Sequence, residues 1–154
     1  MPAIAADPGP AMVARSLYAR DPSARTFGIE LVDVGAGRAV VEMVVRSDMC
    51  NGHGICHGGM IFTLADSALA FASNSHNENA VAAGASVEFV RPVPDGSTLR
   101  ATATEQSLRG RTGIYDVEVA LADGTTVALF RGRTQRIGGA VLADGQVPDP
   151  GSDR

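Results

Sequence analysis

The densest group of potentially reactive residues is the segment Cys50–Gly59, CNGHGICHGG, which runs directly into a long apolar stretch. It combines two cysteines, two histidines and an asparagine with four glycines. Thiol and imidazole groups can bind a metal ion, glycine-rich loops can bind phosphate, and the free amides at a helix start can bind an oxyanion. The segment therefore has three possible chemistries.

A metal site is the first. Cys50, His53, Cys56 and His57 have suitable ligand atoms, but a structural zinc site takes a second ligand pair at a distance, and the rest of the chain offers only His76. A phosphate loop is the second, and its pattern fails because no lysine follows the last glycine. We therefore expect no metal site and no nucleotide loop.

An oxyanion-binding site at a helix start is the third. The first amides of a helix have no partner within it and lie at the positive end of its dipole. Gly58 and Gly59 lack a Cβ, so a substrate carbonyl can approach their N–H groups closely. A glycine pair that only lets the helix pack tightly would explain the same two residues, so the loop alone does not decide.

Asp66 favours the oxyanion site. It lies among apolar residues of the same helical stretch, either desolvated or on a solvent-facing stripe with Thr63 and Ser73. A desolvated carboxylate beside an oxyanion site is a candidate base or nucleophile. Eight residues of helix hold Asp66 and Gly58 about 12 Å apart. We therefore predict a symmetric dimer that pairs Gly58 of one subunit with Asp66 of the other.

The elements that position these groups follow from the hydrophobic pattern. Residues 58–75 are apolar on nearly every side, which predicts a buried helix. Three stretches alternate and predict an antiparallel sheet with one buried face. We expect an α+β fold, in which a curved antiparallel sheet of five or six strands wraps around one long central helix, the hotdog layout. The alternating stretches are Arg38–Arg46, Ser86–Val90 and Ile114–Leu121, and turn signals lie at Gly35–Gly37, Pro94–Gly96, Arg109–Arg111 and Asp123–Gly124.

Length and composition limit the class of protein. With 154 residues, 45% of them hydrophobic, the chain can form one globular domain, which we place at residues 15–138 between flexible segments at 1–14 and 139–154. No apolar run could cross a bilayer, and the N-terminus lacks the features of a secretory signal, which predicts a cytoplasmic protein without membrane contact. The net charge of −4 argues against nucleic acid as a partner.

Taken together, these segments resemble the hotdog acyl-CoA thioesterases of the phenylacetic acid degradation type. The loop, helix and aspartate are the part specific to that group, and the likeness covers roughly residues 15–138. The matching segments are Asn51–His53, Cys56–Ser67, Asn74–Ser75, Val87–Pro92, Gly113–Asp116 and Val127–Gly132.

The resemblance implies hydrolysis of acyl-CoA thioesters, with aryl-acetyl groups such as phenylacetyl or hydroxyphenylacetyl as the leading substrates. It implies no metal or redox cofactor, and a homotetramer built from dimers. The Gly58 amide would bind the thioester oxygen, and Asp66 would act as general base or nucleophile. Asn51 would fix the attacking water or the thioester, and the Ser67 hydroxyl would assist, where the family often has threonine.

Further residues are implied for substrate binding. His57 and Gly59 belong to the family's His-Gly-Gly motif, and His57 is interpreted as structural rather than as an acid or base. Arg91 is the leading candidate for the CoA phosphates, with Arg109, Arg111, Arg131 and Arg133 as further candidates. Pocket depth would depend on Phe62, Leu69, Phe71 and Phe89.

Two other functions remain open at this point. A hotdog enoyl- or hydroxyacyl-CoA hydratase would need an acid–base pair, for which His57 could join Asp66 across the dimer. A non-catalytic acyl-CoA-binding module would be expected to lack the carboxylate. Because Asp66 is present, catalysis is favoured.

Overall fold

The computed structural model describes residues 7–143, so the parts of the two predicted flexible segments at 1–6 and 144–154 lie outside the described residues. These described residues form three α-helices, a short 3₁₀ turn at Ser47–Met49 and six strands. The helices are α1 Pro10–Ala19, α2 Pro22–Phe27 and α3 Gly58–Asn74, and the strands are β1 Glu30–Gly35, β2 Arg38–Val44, β3 Ala80–Phe89, β4 Thr98–Arg109, β5 Thr112–Leu121 and β6 Thr126–Arg136.

The six strands form one sheet in the order β1-β2-β4-β5-β6-β3, and every neighbouring pair is antiparallel. Helix α3 contacts all six strands. Strands about 4.8 Å apart make a flat sheet far wider than one helix of about 10 Å, so the sheet must curve around α3 for all six to touch it. The predicted hotdog fold is confirmed, and the sheet has six strands.

The core lies between α3 and the inner face of the sheet. The helix contributes apolar side chains from most of its circumference, among them Leu64, Leu69 and Phe71, all fully buried. In β5, Tyr115, Val117 and Val119 are buried while the residues between them are more exposed, as the alternation predicts. This burial supplies most of the free energy that holds the helix inside the sheet.

Both ends of the described chain are folded further than the sequence predicted. Helix α1 covers residues 10–14, and its Val13 and Ala14 are buried. At the other end Leu142 is buried and exchanges two hydrogen bonds with the Asn77 side chain. The sequence did hold a signal for the N-terminal helices, because a proline stands at the first turn of each and Asp21 caps α2.

Close packing of helix and sheet depends on a glycine in β6. A Cβ placed on Gly132 would lie 2.5 Å from Cδ2 of Leu69 on α3. Any larger residue there would have to push the helix or the Leu69 side chain away from the sheet. Gly132 therefore sets how near α3 lies to β6.

We predict that Gly132→Ala lowers the free energy of unfolding by about 1–3 kcal/mol, because the added methyl overpacks the core. Gly35→Ala is the matched control, since a Cβ there meets nothing within 4 Å. Urea titration of both variants measures the difference. Equal stability of the two would show that the helix is not held against β6 at this point.

Candidate active site

One side of α3 is left uncovered by the sheet. Its half-buried or exposed residues recur every three or four positions and therefore form one stripe along the helix. Asp66 lies near the middle of this open stripe, and the helix start lies at one end. The open stripe consists of Gly59, Phe62, Thr63, Asp66, Ser67 and Ala70.

The start of α3 leaves one backbone amide free. His57 is the N-cap residue, and its Nδ1 accepts the Gly59 N–H at 2.9 Å. Its carbonyl oxygen accepts the N–H groups of Met60 and Ile61. Within residues 7–143 the Gly58 N–H has no acceptor. Of the two glycine amides expected to face a substrate oxygen, Gly58 therefore offers a free donor and Gly59 does not.

A side chain is excluded at Gly58 and at Gly59 for different reasons. A Cβ on Gly59 would lie 3.0 Å from His57 Nδ1, so the missing side chain lets the imidazole cap the helix. A Cβ on Gly58 would lie 2.9 Å from Cζ of Phe89, whose ring stands over the helix start. Phe89 is 51% exposed. The His57 ring therefore caps the helix, and its part in substrate binding stays a prediction.

Asn51 holds the loop that leads into α3. Its Oδ1 accepts the N–H groups of His53 and Ile55, at 3.0 and 3.4 Å. Its backbone N–H donates to the Ile55 carbonyl, which closes the loop. Because two backbone donors fix the oxygen side of the amide, its Nδ2 is left as a donor toward a ligand.

Asp66 lies in a cleft of about 420 Å³ between α3, the beginning of β3 and the α1–α2 corner. Its carboxylate has no hydrogen-bond or ion-pair partner in the described part of the chain, and the same cleft contains Leu17, Leu69 and Val81. Burial raises the pKa of the Asp66 carboxyl above its ordinary value. A carboxylate that is partly dehydrated and unpaired is a stronger base than one in water.

Ser67 follows Asp66 on the open stripe. Its hydroxyl donates to the Thr63 carbonyl at 2.8 Å, one turn back along the helix. The Ser67 oxygen therefore keeps its acceptor capacity for a water molecule, while its proton is engaged.

A single chain does not bring Asp66 and Gly58 together. They are eight residues apart on one straight element, about 12 Å at 1.5 Å per residue. The candidate site residues therefore lie in two groups, with Gly58 and Asn51 near the helix start and Asp66 and Ser67 farther along α3.

The candidate arginines for CoA phosphates are spread over the sheet. Arg91 follows β3 at the end of the fold where α3 begins. It lies near Asp123, whose pKa is lowered chiefly by hydrogen bonds from Thr125 and to a smaller extent by the Arg91 charge. Arg131 forms a two-point ion pair with Asp116, and Arg133 donates to the Ala83 carbonyl. Arg109 and Arg111 flank the β4–β5 turn, where β5 begins beside the last residues of β6, far from Phe89 and Gly58. Of the five, only Arg91 lies near the helix start within one chain.

Four aromatic and aliphatic residues were expected to set pocket depth, and the structure divides them. Phe71 belongs to the closed core, whereas Leu69 is fully buried but also lines the Asp66 cleft. Phe62, on the open stripe, packs edge-on against Phe130 with ring centroids 5.1 Å apart. Sequence reasoning missed that Phe89 touches the helix start, because this contact joins residues 31 positions apart and no local pattern reports it.

Metal binding finds no support in the geometry. Among residues 7–143, no three His, Cys, Asp or Glu side chains lie close enough together to hold an ion.

In the same part of the chain, no helix has the length and hydrophobicity needed to span a membrane.

Comparison with known proteins supplies the family. A model described as "Thioesterase superfamily" matches residues 53–128. Acyl-coenzyme A thioesterase PaaI of Escherichia coli K12 is 44% identical over 131 residues, covering 85% of this chain and 94% of the relative. The E. coli PaaI structure superposes with a TM-score of 0.84, covering 85% and 95% of the two chains.

Two further solved structures are similar. A mutant of the phenylacetic acid degradation protein PaaI of Thermus thermophilus is 40% identical, with a TM-score of 0.73 over 76% of this chain and 100% of that one. The smu.793 protein of Streptococcus mutans UA159, solved with acetyl CoA, is 26% identical, with a TM-score of 0.70 over 73% and 90%. By fold and by sequence the chain therefore belongs to the acyl-CoA thioesterases of the phenylacetic acid degradation type, which are thioester hydrolases.

Proposed function

We propose that this thioesterase hydrolyses aryl-acetyl-CoA, such as phenylacetyl- or hydroxyphenylacetyl-CoA, in a site shared between two subunits. The observation that carries the proposal is that the open stripe of α3 contains an unpartnered, partly dehydrated carboxylate and ends at a free helix-start amide. Asp66 supplies the carboxylate and Gly58 the amide. The carboxylate activates the attacking water or attacks itself, and the amide binds the thioester oxygen, so the hydrolysis needs both groups.

The chemistry needs little more than these two groups. The Gly58 N–H binds the thioester oxygen and stabilises the negative charge that develops on it as the tetrahedral intermediate forms. The Asp66 carboxylate takes a proton from the attacking water, or attacks the carbonyl carbon itself, and Ser67 accepts a hydrogen bond from that water. The thiolate of CoA leaves without a dedicated acid because it is a good leaving group. Asn51 Nδ2 holds the water or the thioester.

The free edge of the sheet supports a dimer. Strand β3 lies at the edge and pairs only with β6. Its sequence, AVAAGASVEF, is ten residues long with one charge, and most of it is exposed. An edge of that kind associates with another strand unless it is covered. The opposite edge, β1, is six residues long, carries Glu30 and Asp33 and is interrupted by a bulge, so it is protected.

The position of β3 along α3 supports the shared site. Helix and strand run antiparallel, since Asn74 bonds to Ala80 at one end and Phe89 covers Gly58 at the other. If β3 pairs antiparallel with a second copy about its middle, Val81 of one subunit lies opposite Phe89 of the other. Val81 lines the Asp66 cleft. The pairing thus brings Asp66 of each subunit toward Gly58 of the other, which one helix cannot do. We infer this dimer as the minimal unit of a homotetramer.

The aromatic rings near the site support an aryl substrate. Phe62 and Phe89 are 36% and 51% exposed beside the open stripe, so they offer ring faces and edges to an aromatic acyl group. CoA as the carrier is supported by the acetyl-CoA-bound relative and by Arg91 near the helix start, whose guanidinium suits a phosphate. A hydratase is less well supported, because His57 Nδ1 accepts the Gly59 amide and the ring is held as a helix cap.

We predict that Asp66→Asn reduces kcat for phenylacetyl-CoA by at least about 10²-fold, since the amide cannot take the proton. The exposed Asp33→Asn is the matched control and should keep the wild-type rate. At pH 7 Asp66→Asn should be at least as stable as the wild type, because the raised pKa means that the folded state disfavours the ionised carboxylate. Thiol release and urea unfolding measure the two effects. Full activity in Asp66→Asn contradicts the proposed base.

We predict an acid limb in the pH–rate profile that is displaced upward from the ordinary aspartate value. Activity needs the ionised carboxylate, and burial raises the Asp66 pKa, so the rate is full above that pKa and falls as the pH drops through it. Stability has the opposite sign: the cost of the dehydrated charge disappears as Asp66 is protonated. Initial rates measured from pH 3 to 8, with the fold checked by circular dichroism at each pH, locate the pH at which the rate falls to half of its maximum. A rate limb at or below about pH 3.9 would be inconsistent with a raised pKa.

We predict that Gly58→Pro loses activity far more than Gly58→Ala. Both variants bring a Cβ against Phe89, but only proline removes the N–H, and proline is accepted at the first position of a helix. His57 has φ −61° and ψ 134°, the extended conformation that a following proline requires. The ratio of the two kcat/KM values isolates the contribution of the amide, about 10²–10³-fold for one oxyanion donor.

Mixing of subunits tests whether the site is shared. Gly58→Pro and Asp66→Asn chains, unfolded together and refolded, give mixed dimers with one intact site each if the site combines the two subunits. About a quarter of the wild-type activity should return at equal mixing, assuming random dimer formation. If both groups act within one subunit, the mixture stays inactive.

A further inference from the structure

Outside the groups used for hydrolysis, the two cysteines form a second pair of reactive side chains. Cys50 and Cys56 face each other across the loop that carries Asn51 and ends at His57, as an isolated antiparallel bridge. Both are free thiols. Neither has a role in the proposed hydrolysis, although Cys56 is buried directly before His57 and the start of α3.

The hydrogen bonds around the pair define its geometry. His57 N–H donates to the Met49 carbonyl, and Asn51 N–H donates to the Ile55 carbonyl, each at 2.8 Å. These bonds flank Cys50 and Cys56, which makes them a non-hydrogen-bonded antiparallel pair. In such a pair the Cα atoms are about 4.5 Å apart and the two side chains point to the same face. That spacing lies within the range that a disulfide can bridge.

The surroundings keep the two sulfur atoms on the same side. Cys56 belongs to the buried core cluster, and Cys50 is partly buried against that cluster. Each thiol has only a weak contact with a backbone carbonyl, of Arg46 for Cys50 and of His57 for Cys56. No strong interaction therefore holds the thiols apart, and Cys50 is the one that solvent reaches.

We propose that Cys50 and Cys56 form a reversible intramolecular disulfide by exchange with a low-molecular-weight disulfide, and that this bond slows the hydrolysis. The Cys50 thiolate attacks one sulfur of the external disulfide, forms a mixed disulfide and releases one thiolate. The Cys56 thiolate then attacks the Cys50 sulfur and releases the second. The protein loses two protons and two electrons, and the external disulfide becomes two thiols. The second part of the proposal rests on the proposed function.

The kinetics of the exchange follow from the environment of the thiols. Burial raises the pKa of Cys56 to about 11, and burial with the charges of Asp95 and Asp48 raises that of Cys50. Since the thiolate is the attacking form, exchange is slow at neutral pH and faster in alkali. Once formed, the bond resists glutathione, because attack on the accessible Cys50 sulfur has to expel the Cys56 thiolate, a poor leaving group.

The effect on hydrolysis follows from the position of the bond. A non-hydrogen-bonded pair at about 4.5 Å is at the short end of the range for disulfides, whose Cα atoms are most often about 5.5–6 Å apart, so we expect closure to widen the spacing of the two backbone segments by up to about 1 Å. One segment continues into Asn51 and the other into His57 and Gly58. A shift of that size between groups that must act together can cost up to about 10²-fold in rate.

The test treats the 154-residue chain with glutathione disulfide at pH 8.5, then denatures it, alkylates the free thiols and measures the intact mass. The wild type should lose both alkylation sites, lose the mass of two hydrogen atoms and remain a single chain. Its kcat for an acyl-CoA should fall about 10- to 10²-fold and return with dithiothreitol. Cys50→Ser keeps the hydrogen-bond donor at this position and should keep its rate after the same treatment.

Three outcomes overturn the proposal. The first is a stable glutathione adduct on Cys50 with Cys56 still free, and the second is a covalent link between two chains. The third is an intramolecular bond that leaves kcat unchanged, which removes the effect on hydrolysis. Cys56→Ala, which can form only the adduct, serves as the mass standard. If neither the reduced nor the oxidised protein hydrolyses any acyl-CoA, the proposed function fails, while the mass measurement still decides whether the bond forms.

Discussion

The structure depends on the burial of α3 within a sheet that leaves only one stripe of the helix open. Six strands enclose the helix, so its polar residues have one face on which they can meet water or substrate. Asp66 and Ser67 lie on that face, together with the free amide end of the helix. The α1–α2 corner and the beginning of β3 partly cover the stripe at Asp66, and this burial raises the pKa of the carboxyl. Fold and chemistry are thus linked through one surface.

The helix start shows how capping selects a donor. A helix N-terminus has several unpaired amides, and an unselective site would present all of them to a ligand. Here His57 satisfies three with its ring nitrogen and carbonyl oxygen, and Gly58 remains. The dipole of a 17-residue helix then acts through a single N–H, beside the exposed ring of Phe89. Selection of one donor would give the oxyanion of the proposed hydrolysis a defined position.

How much could be predicted from the sequence differs between residues. The predicted helix 58–75 agrees with α3 to within one residue, because an all-round apolar pattern with a glycine start is unambiguous. The buried face of β5 was also predicted correctly, because side chains alternate between the two faces of a strand. The half-burial of Asp66 could not be predicted, since it depends on where α1, α2 and β3 cross the helix. The occupied Gly59 amide and the facing cysteines depend on loop geometry between Cys50 and Gly58, which local composition does not fix.

The uncovered edge of β3 has a consequence for how the protein behaves at low concentration. Ten residues of nearly uncharged strand, with Val81 and Phe89 about half exposed, favour association. If each site needs two subunits, then dilution below the dissociation constant removes sites and not merely partners, so the turnover per chain falls with concentration. The total activity would then rise more steeply than in proportion to the amount of protein in the cell, without any regulatory ligand.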